Sequence, residues 1–254
     1  MRVGLDYHIH TFYQRCGNET LTVENIVRRA EELGLTSIAI TDHLNRPEQL
    51  PMFPHIRHDI ETTETDVEVF FGVELNFMEC DGEWAYSAEI RDEHGFELAI
   101  GGIHSAYTDS QDPVEVLDIQ HRHHMRTLAD PLIDVLVHPY WFGKADIEKR
   151  PMEWWERLIA EMPDGRVTEL AQASAEHNTP IEVNACAIFY SFRLSAGFID
   201  AYVEYLRRLH DAGALFTVGS DAHDIGRMGT TEYVEGLLDG MGVSAERIWR
   251  PERQ

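Results

Sequence analysis

Histidines and carboxylates recur in this sequence directly after short apolar runs. In the first run His8 and His10 are two residues apart, and an extended chain points such residues to the same side, so both imidazoles can bind one ion. Mixed imidazole and carboxylate donors suit Zn²⁺, Fe²⁺ or Mn²⁺. The polar residues that follow the later runs are Asp42, His43, Glu74, His104, His138, Glu182, Asn184, Asp221 and His223.

The number of candidate donors predicts more than one ion. A single tetrahedral site needs four ligands, whereas the candidate ligands number about twice that. A carboxylate such as Glu74 can bridge two ions about 3.5–4 Å apart, the spacing at which two metals activate water and hold the oxygens of an in-line displacement. Glu182, Asn184 and Asp42 are predicted to orient ligands through hydrogen bonds instead. The predicted metal ligands are His8, His10, His43, Glu74, His104, His138, Asp221 and His223.

The net charge restricts the partners of such a site. The chain has 254 residues, of which 45 are acidic and 21 basic, so its formal charge is −24. A field this negative repels phosphate backbones and anionic headgroups, and neither nucleic acid nor a membrane is an expected partner. Divalent cations would reverse the sign locally, so a small phosphorylated substrate remains compatible with the pocket.

The apolar runs alternate with helical patterns. Thr22 is a predicted N-cap for a helix that Gly34 ends, and further helices are predicted at 112–129, within 152–176 and at 197–212. In the helix predicted at 112–129, residues 120–124 contain three histidines and predict a solvated face. The turn pairs at 81–82 and 94–95 predict a hairpin insertion over 77–100. Strands are predicted at 3–7, 36–41, 67–75, 98–103, 133–138, 180–184 and 215–220.

Seven such units predict an α/β fold of the TIM-like barrel class, with a doubly wound open sheet as the alternative. No linker or composition shift divides residues 1–254, so one domain is expected. In barrels of this kind the chemistry lies at the carboxyl ends of the strands, which is where the histidines and carboxylates fall.

The cellular location is predicted from features that the sequence lacks. Three cysteines cannot build a disulfide framework, which favours a reducing compartment. The first residues have no apolar core of a secretory signal, and no run approaches the roughly 20 apolar residues of a membrane helix. A cytoplasmic location is therefore expected, while the oligomeric state stays open.

In order along the chain, the motifs are DYHIHT, TDH at 41–43, GVEL at 72–75, GGIHS at 101–105, LVHP at 136–139, EVN at 182–184 and GSDAH at 219–223. This ordered set, from about residue 5 to 225, resembles the PHP (polymerase and histidinol phosphatase) metallo-phosphoesterases, and the histidinol-phosphatase branch in particular. The resemblance implies a distorted seven-stranded βα barrel with two or three divalent ions.

The resemblance also implies a division of the ligands. One ion would be held by His8, His10, Glu74 and Asp221. A second would share Glu74 and add His104 and His138. A third would be served by His43 and His223. Of these residues, Glu74, Asp221 and His223 are the expected catalytic ones.

One departure concerns the third ion. Relatives carry a ligand histidine shortly after the first motif, where this chain has Cys16, Gly17 and Asn18. Asn18 is a poor ligand for a borderline metal and a Cys16 thiolate is a good one. Either Cys16 substitutes for the histidine, or the third site is weak or empty.

The predicted activity is hydrolysis of a phosphate monoester, with a metal-bound hydroxide attacking phosphorus in line. Arg193 is the first candidate for binding the phosphate and Arg227 the second. Histidinol phosphate is the first substrate to test. One alternative is an amidohydrolase-type barrel, although neither Lys144 nor Lys149 falls at a strand end to form a carboxylated bridge. The other is a metal-stabilised binding or regulatory module.

Overall fold

Seven parallel strands form one sheet whose spatial order follows the chain from β1 to β7. The computed structural model describes residues 3–14 and 17–252. After β7 the chain pairs back onto β1, since the Asp221 amide donates to the His8 carbonyl at 2.8 Å and the His10 amide to the Ala222 carbonyl at 3.3 Å. The sheet is thereby nearly closed, which confirms the TIM-like barrel. The strands are β1 Leu5–Ile9, β2 Ser37–Ile40, β3 Glu68–Asn76, β4 Leu98–Gly102, β5 Val135–Leu136, β6 Ile181–Asn184 and β7 Phe216–Gly219.

Helices follow most strands and cover the outside of the barrel, and the strands are buried almost throughout. A π-helical turn, Ala185–Phe189, comes directly after β6. Within residues 3–14 and 17–252, no helix has both the length and the apolar composition needed to cross a membrane. The helices are α1 Val23–Leu33, α2 Phe53–Thr62, α3 Ala88–His94, α4 Pro113–Ala129, α5 Lys144–Ile147, α6 Met152–Ala160, α7 Asp164–His177, α8 Ala196–Asp211 and α9 Thr231–Gly240.

Helix α1 shows how local sequence sets these elements. The Thr22 side chain accepts a hydrogen bond from the Asn25 amide and so begins the helix, and Gly34 ends it with φ of 64°. Val23, Ile26, Val27 and Ala30 face the core. The predicted caps and the predicted apolar face of this helix are confirmed.

Two strands differ from the prediction in ways that affect the histidines. Gly4 has φ of 67°, so β1 begins only at Leu5 and runs on to Ile9. His8 is therefore inside the strand and His10 directly after it. Strand β5 has two residues rather than six, and His138 follows it with φ of 28°, outside the extended conformation.

The hairpin predicted over 77–100 is wrong, because its second half contains α3. The Ser87 side chain caps this helix by accepting from the Ile90 amide, and Gly95 ends it with φ of 69°. Glycine in a left-handed conformation serves a tight hairpin turn and a helix C-cap equally well, so His94-Gly95 misled the prediction.

The solvated face predicted on α4 is also wrong. The side chains of His123 and His124 are each 1% exposed, and Gln120 beside them is fully buried.

Candidate metal centre

All eight predicted ligands converge at the carboxyl ends of the strands. They form four overlapping groups, in each of which the donor atoms lie within 4.8 Å of one another. The groups share members, so they make one cluster, which we call the donor cluster. Its groups are His8–His10–Glu74, Glu74–His104–His138, His8–His138–Asp221 and His10–His43–His223.

Glu74 lies at the centre of the donor cluster, and its two carboxylate oxygens face different sides. Oε2 is 3.3 Å from His8 Nε2, 3.4 Å from His10 Nε2 and 2.7 Å from His43 Nδ1. Oε1 is 3.0 Å from His104 Nε2 and 3.3 Å from His138 Nε2. A carboxylate that is almost wholly buried between two sets of imidazoles has the position of a bridging ligand.

The orphaned atoms of the cluster indicate what it binds. The Nε2 atoms of His8 and His10 are buried and make no hydrogen bond within the described part of the chain. Both face carboxylate oxygens, since Asp221 Oδ1 lies 3.6 Å from the former and 3.3 Å from the latter. Buried polar atoms without partners are costly, and nitrogen lone pairs next to carboxylates fit a cation between them.

Electrostatics in the cluster favour the ionised carboxylates. Burial would raise the pKa of Glu74, yet the neighbouring imidazoles, His43 first among them, hold it well below its usual range. Burial also opposes ionisation of Asp221, but His8 above all lowers the pKa of that carboxyl. Burial lowers the pKa of His10 to about 3, so this ring is neutral at physiological pH. Ionised carboxylates and neutral imidazoles are the forms that bind a metal ion.

His8 has the opposite shift. Burial alone would lower its pKa, but Glu182, Asp221 and Glu74 together outweigh burial and raise it well above the usual value. The negative charge around His8 is therefore large enough to hold a cation, whether a proton or a metal ion.

Glu182 on β6 connects two of the predicted ligands. Its Oε1 accepts from His8 Nδ1 at 2.8 Å, and its Oε2 accepts from the His138 amide at 2.8 Å and from the Asn184 side chain at 3.0 Å. Gly219 on β7 leaves room for this contact, because a Cβ there would overlap both the Glu182 carboxylate and His8. Glu182 thus turns Nε2 of His8 toward the cluster, as predicted for an orienting residue.

Asp42 and Asn184 act on neighbouring groups. Asp42 accepts from the Thr11 amide at 2.9 Å and the Thr11 hydroxyl at 2.7 Å, which fixes the backbone directly after His10. Burial raises the pKa of Asp42 to about 6. The side-chain amide of Asn184 donates to Asp221 Oδ2 at 3.4 Å as well as to Glu182.

The third predicted ion would lie among His10, His43 and His223. The Asn18 side chain is occupied elsewhere, because its amide donates to Asp224 at 2.7 Å and its carbonyl accepts from Thr20. Asn18 is therefore not available as a ligand in this conformation. Cys16 lies outside the described residues, so its part in this site stays a prediction.

Trp141 was missed by the sequence reasoning. Its half-buried indole lies 5.2 Å from the His104 ring and 5.4 Å from the His138 ring, measured between centroids, and so forms a wall beside the cluster. Its position three residues after His138 was the available signal, since loops after strand ends line barrel sites.

The sequence pattern of the PHP domain matches residues 6–184, which is more than half of the chain and contains six of the eight predicted ligands. The chain belongs to the PHP domain family.

Two bacterial relatives of this PHP protein carry the name "Probable phosphatase YcdX". The protein of Escherichia coli strain K12 is 26% identical over 246 residues, covering 96% of this chain and 88% of the relative. That of Shigella boydii serotype 18 has the same identity and coverage. Among solved structures, the "putative histidinol phosphatase hisK" of Listeria monocytogenes matches with a TM-score of 0.62 at 14% identity, covering 89% of this chain and 97% of that one. This likeness shows the fold alone.

PHP domains depend on metal ions, and the residues of this chain fit that requirement. The donor set combines imidazoles and carboxylates, and the unpartnered nitrogens of His8 and His10 face Glu74 and Asp221.

Proposed function

We propose that this PHP protein is a metal-dependent phosphatase that hydrolyses a small phosphate monoester. The observation that carries the proposal is the position of Glu74, whose two oxygens face two separate sets of imidazoles in one buried cluster. The phosphatase names of the relatives from Escherichia coli and Shigella boydii support it.

Each side chain has a definite part in this proposal. Divalent cations, when bound, would lower the pKa of a water and neutralise charge on the phosphoryl oxygens. Glu74, Asp221 and the six histidines would hold the cations. The Asp221 carbonyl can only accept the hydrogen bond from His223 Nδ1, at 3.0 Å, so Nε2 of the neutral ring offers a lone pair. His223 therefore suits binding a cation or accepting a proton, and the proton for the leaving group would come from water.

Three arginines support an anionic substrate. Among the lysines and arginines that the structure describes, only Arg46, Arg193 and Arg227 have a charged group that contacts neither a carboxylate nor another hydrogen-bond acceptor. These three are in the segments after β2, β6 and β7, at the end of the barrel that holds the donor cluster. In a protein with a charge of −24, unpaired guanidinium groups at this end are available for a phosphate.

Replacing Arg193 or Arg227 with alanine is expected to raise KM for an aryl phosphate by about 10-fold or more, with a smaller change in kcat. A hydrogen bond to a charged group is worth about 1.5–3 kcal/mol, and each 1.4 kcal/mol is a factor of ten. Steady-state kinetics measure this change. Arg207→Ala is the control, because that exposed arginine lies near the end of α8, away from the cluster. Unchanged KM in both variants would contradict the assignment.

The natural substrate is a small phosphorylated metabolite in this proposal. Histidinol phosphate is the first to assay, since the resemblance of the motifs is to that branch. No residue in the described part of the chain identifies this particular alcohol, so the substrate remains a proposal to be tested by phosphate release from a panel of metabolites. A cytoplasmic setting is part of the same proposal.

An amidohydrolase with a carboxylated lysine finds no support. Lys144 is on α5 and pairs with Glu148, and Lys149 pairs with Asp109 and Asp146. Both lysines of the sequence thus pair with carboxylates, and neither is in a strand or directly after one.

The proposal is tested by metal analysis of the purified protein and by hydrolysis of 4-nitrophenyl phosphate. We expect two or more bound ions per chain, loss of activity after chelation, and recovery with Mn²⁺, Zn²⁺ or Fe²⁺. Protein that retains no ions and releases no phosphate with any of the three metals would refute the function.

A further inference from the structure

The turn that carries His138 is held in an unusual backbone conformation. His138 has φ of 28° and Tyr140 has φ of 59°, both in the left-handed region that residues other than glycine seldom adopt. Such conformations cost free energy and persist only where the surrounding structure enforces them. The turn also brings His138 Nε2 to within 3.3 Å of Glu74 Oε1 and 3.2 Å of His104 Nε2.

Three buried side chains form hydrogen bonds with the backbone of residues 138, 139 and 140 in this turn. We call these side chains, which belong to His124, Glu182 and Tyr202, the turn clamp. They come from separate elements, namely α4, β6 and α8. Each is at most 1% exposed, so their polar atoms are shielded from hydrogen bonds with bulk water. The contacts are the His138 amide to Glu182 Oε2 at 2.8 Å, the Tyr202 hydroxyl to the Pro139 carbonyl at 3.0 Å and the Tyr140 amide to His124 Nε2 at 3.2 Å.

His124 is the member of the turn clamp whose presence most needs a reason. A backbone amide can only donate, so Nε2 of His124 accepts and Nδ1 carries the proton. That Nδ1 has no hydrogen-bond partner among the described residues, although the ring is 1% exposed. Burial holds the pKa of His124 well below its usual value, so the ring stays neutral and keeps its acceptor.

An apolar side chain would fill this part of the core without an orphaned N–H. The ring of His124 packs edge-on against Tyr140, with centroids 4.7 Å apart, as a phenylalanine could also do. What phenylalanine could not supply is the acceptor for the Tyr140 amide. Among the described residues, the only polar contact that the buried His124 ring gains is therefore to the turn that carries His138.

We propose that His124, on α4 outside the barrel wall, is a positioning residue that holds His138 in place for the metal centre through the Tyr140 amide. Tyr202 does the same through the Pro139 carbonyl. The inference rests on the proposed metal-dependent function, and it adds that the two helices behind the barrel wall determine the geometry of the site.

The test compares His124→Phe, which removes the acceptor, with His124→Gln, whose Oε1 can restore it. We expect the phenylalanine variant to bind Mn²⁺ or Zn²⁺ about 10-fold more weakly and to lose about 10- to 100-fold in kcat at saturating metal, with KM for 4-nitrophenyl phosphate nearly unchanged. The glutamine variant should recover to within about 3-fold of the wild type. Metal titration gives a readout that is independent of turnover, and thermal melting shows whether each variant is folded.

Tyr202→Phe is the second variant, because it removes one hydroxyl and leaves no large void. It should weaken metal binding in the same direction, and it keeps the test decisive if His124→Phe does not fold. Metal affinity and kcat unchanged in His124→Phe or Tyr202→Phe would overturn the inference, and so would losses in His124→Gln equal to those in His124→Phe. If these variants overturn the inference while the wild type still binds metal and hydrolyses phosphate esters, the proposed function stands. Only the positioning role then fails.

Discussion

Alanine at both His8 and His10 is expected to lower kcat/KM for an aryl phosphate by about a thousand-fold or more. The two side chains contribute to all but one of the four donor groups, and their Nε2 atoms face the same Glu74 oxygen at 3.3 and 3.4 Å. Without them only the group of Glu74, His104 and His138 stays complete, and an ion held between Glu74 and Asp221 would lose both of its imidazole ligands. Metal catalysis is worth several kcal/mol, and about 1.4 kcal/mol corresponds to each factor of ten.

The measurement combines kinetics with the metal content of the purified variant. His55→Ala with His58→Ala is the matched control, because it also removes two histidines, but from the exposed surface of α2. The control should keep wild-type metal content and activity. Near-wild-type turnover in the His8, His10 double variant would refute the proposed mechanism.

Glu182→Ala is expected to have the second largest effect, on stability as well as on turnover. The substitution leaves the His8 Nδ1, the His138 amide and the Asn184 side chain without their shared acceptor, in a site that excludes water. Loss of one partner of a buried charged contact costs about 3–5 kcal/mol. Residues that orient metal ligands typically change affinity or activity by about 10- to 100-fold.

Urea denaturation of the apo and metal-loaded protein measures the loss of stability, and kcat/KM measures the loss of function. Glu182→Gln should fall between alanine and the wild type, since its single carbonyl can accept from only one side. Glu153→Ala, on the exposed face of α6, serves as the control for removing a carboxylate. If Glu182→Ala were as stable and active as that control, the orienting role would be excluded.

Several errors in the sequence reasoning share one origin, which is that local patterns do not specify long-range partners. The pair His94-Gly95 fits a hairpin turn and a helix end equally well, and only the Ser87 cap and the neighbouring packing make it the end of α3. His124 looked like part of a solvated face because imidazole is polar. It is in fact buried, and its ring accepts a hydrogen bond from the Tyr140 amide, 16 residues away in sequence.

The strands and the donors were predictable because both depend on neighbours in the chain. Apolar runs between helical patterns predicted all seven strands, and His8 and His10 lie on one side because extended chains repeat every two residues. The sequence by itself thus determined a parallel barrel with eight metal-capable side chains at one end. Only the tertiary structure decided how they meet, since closure of the barrel places Glu74 between two sets of imidazoles and brings Glu182 to His8 across 174 residues.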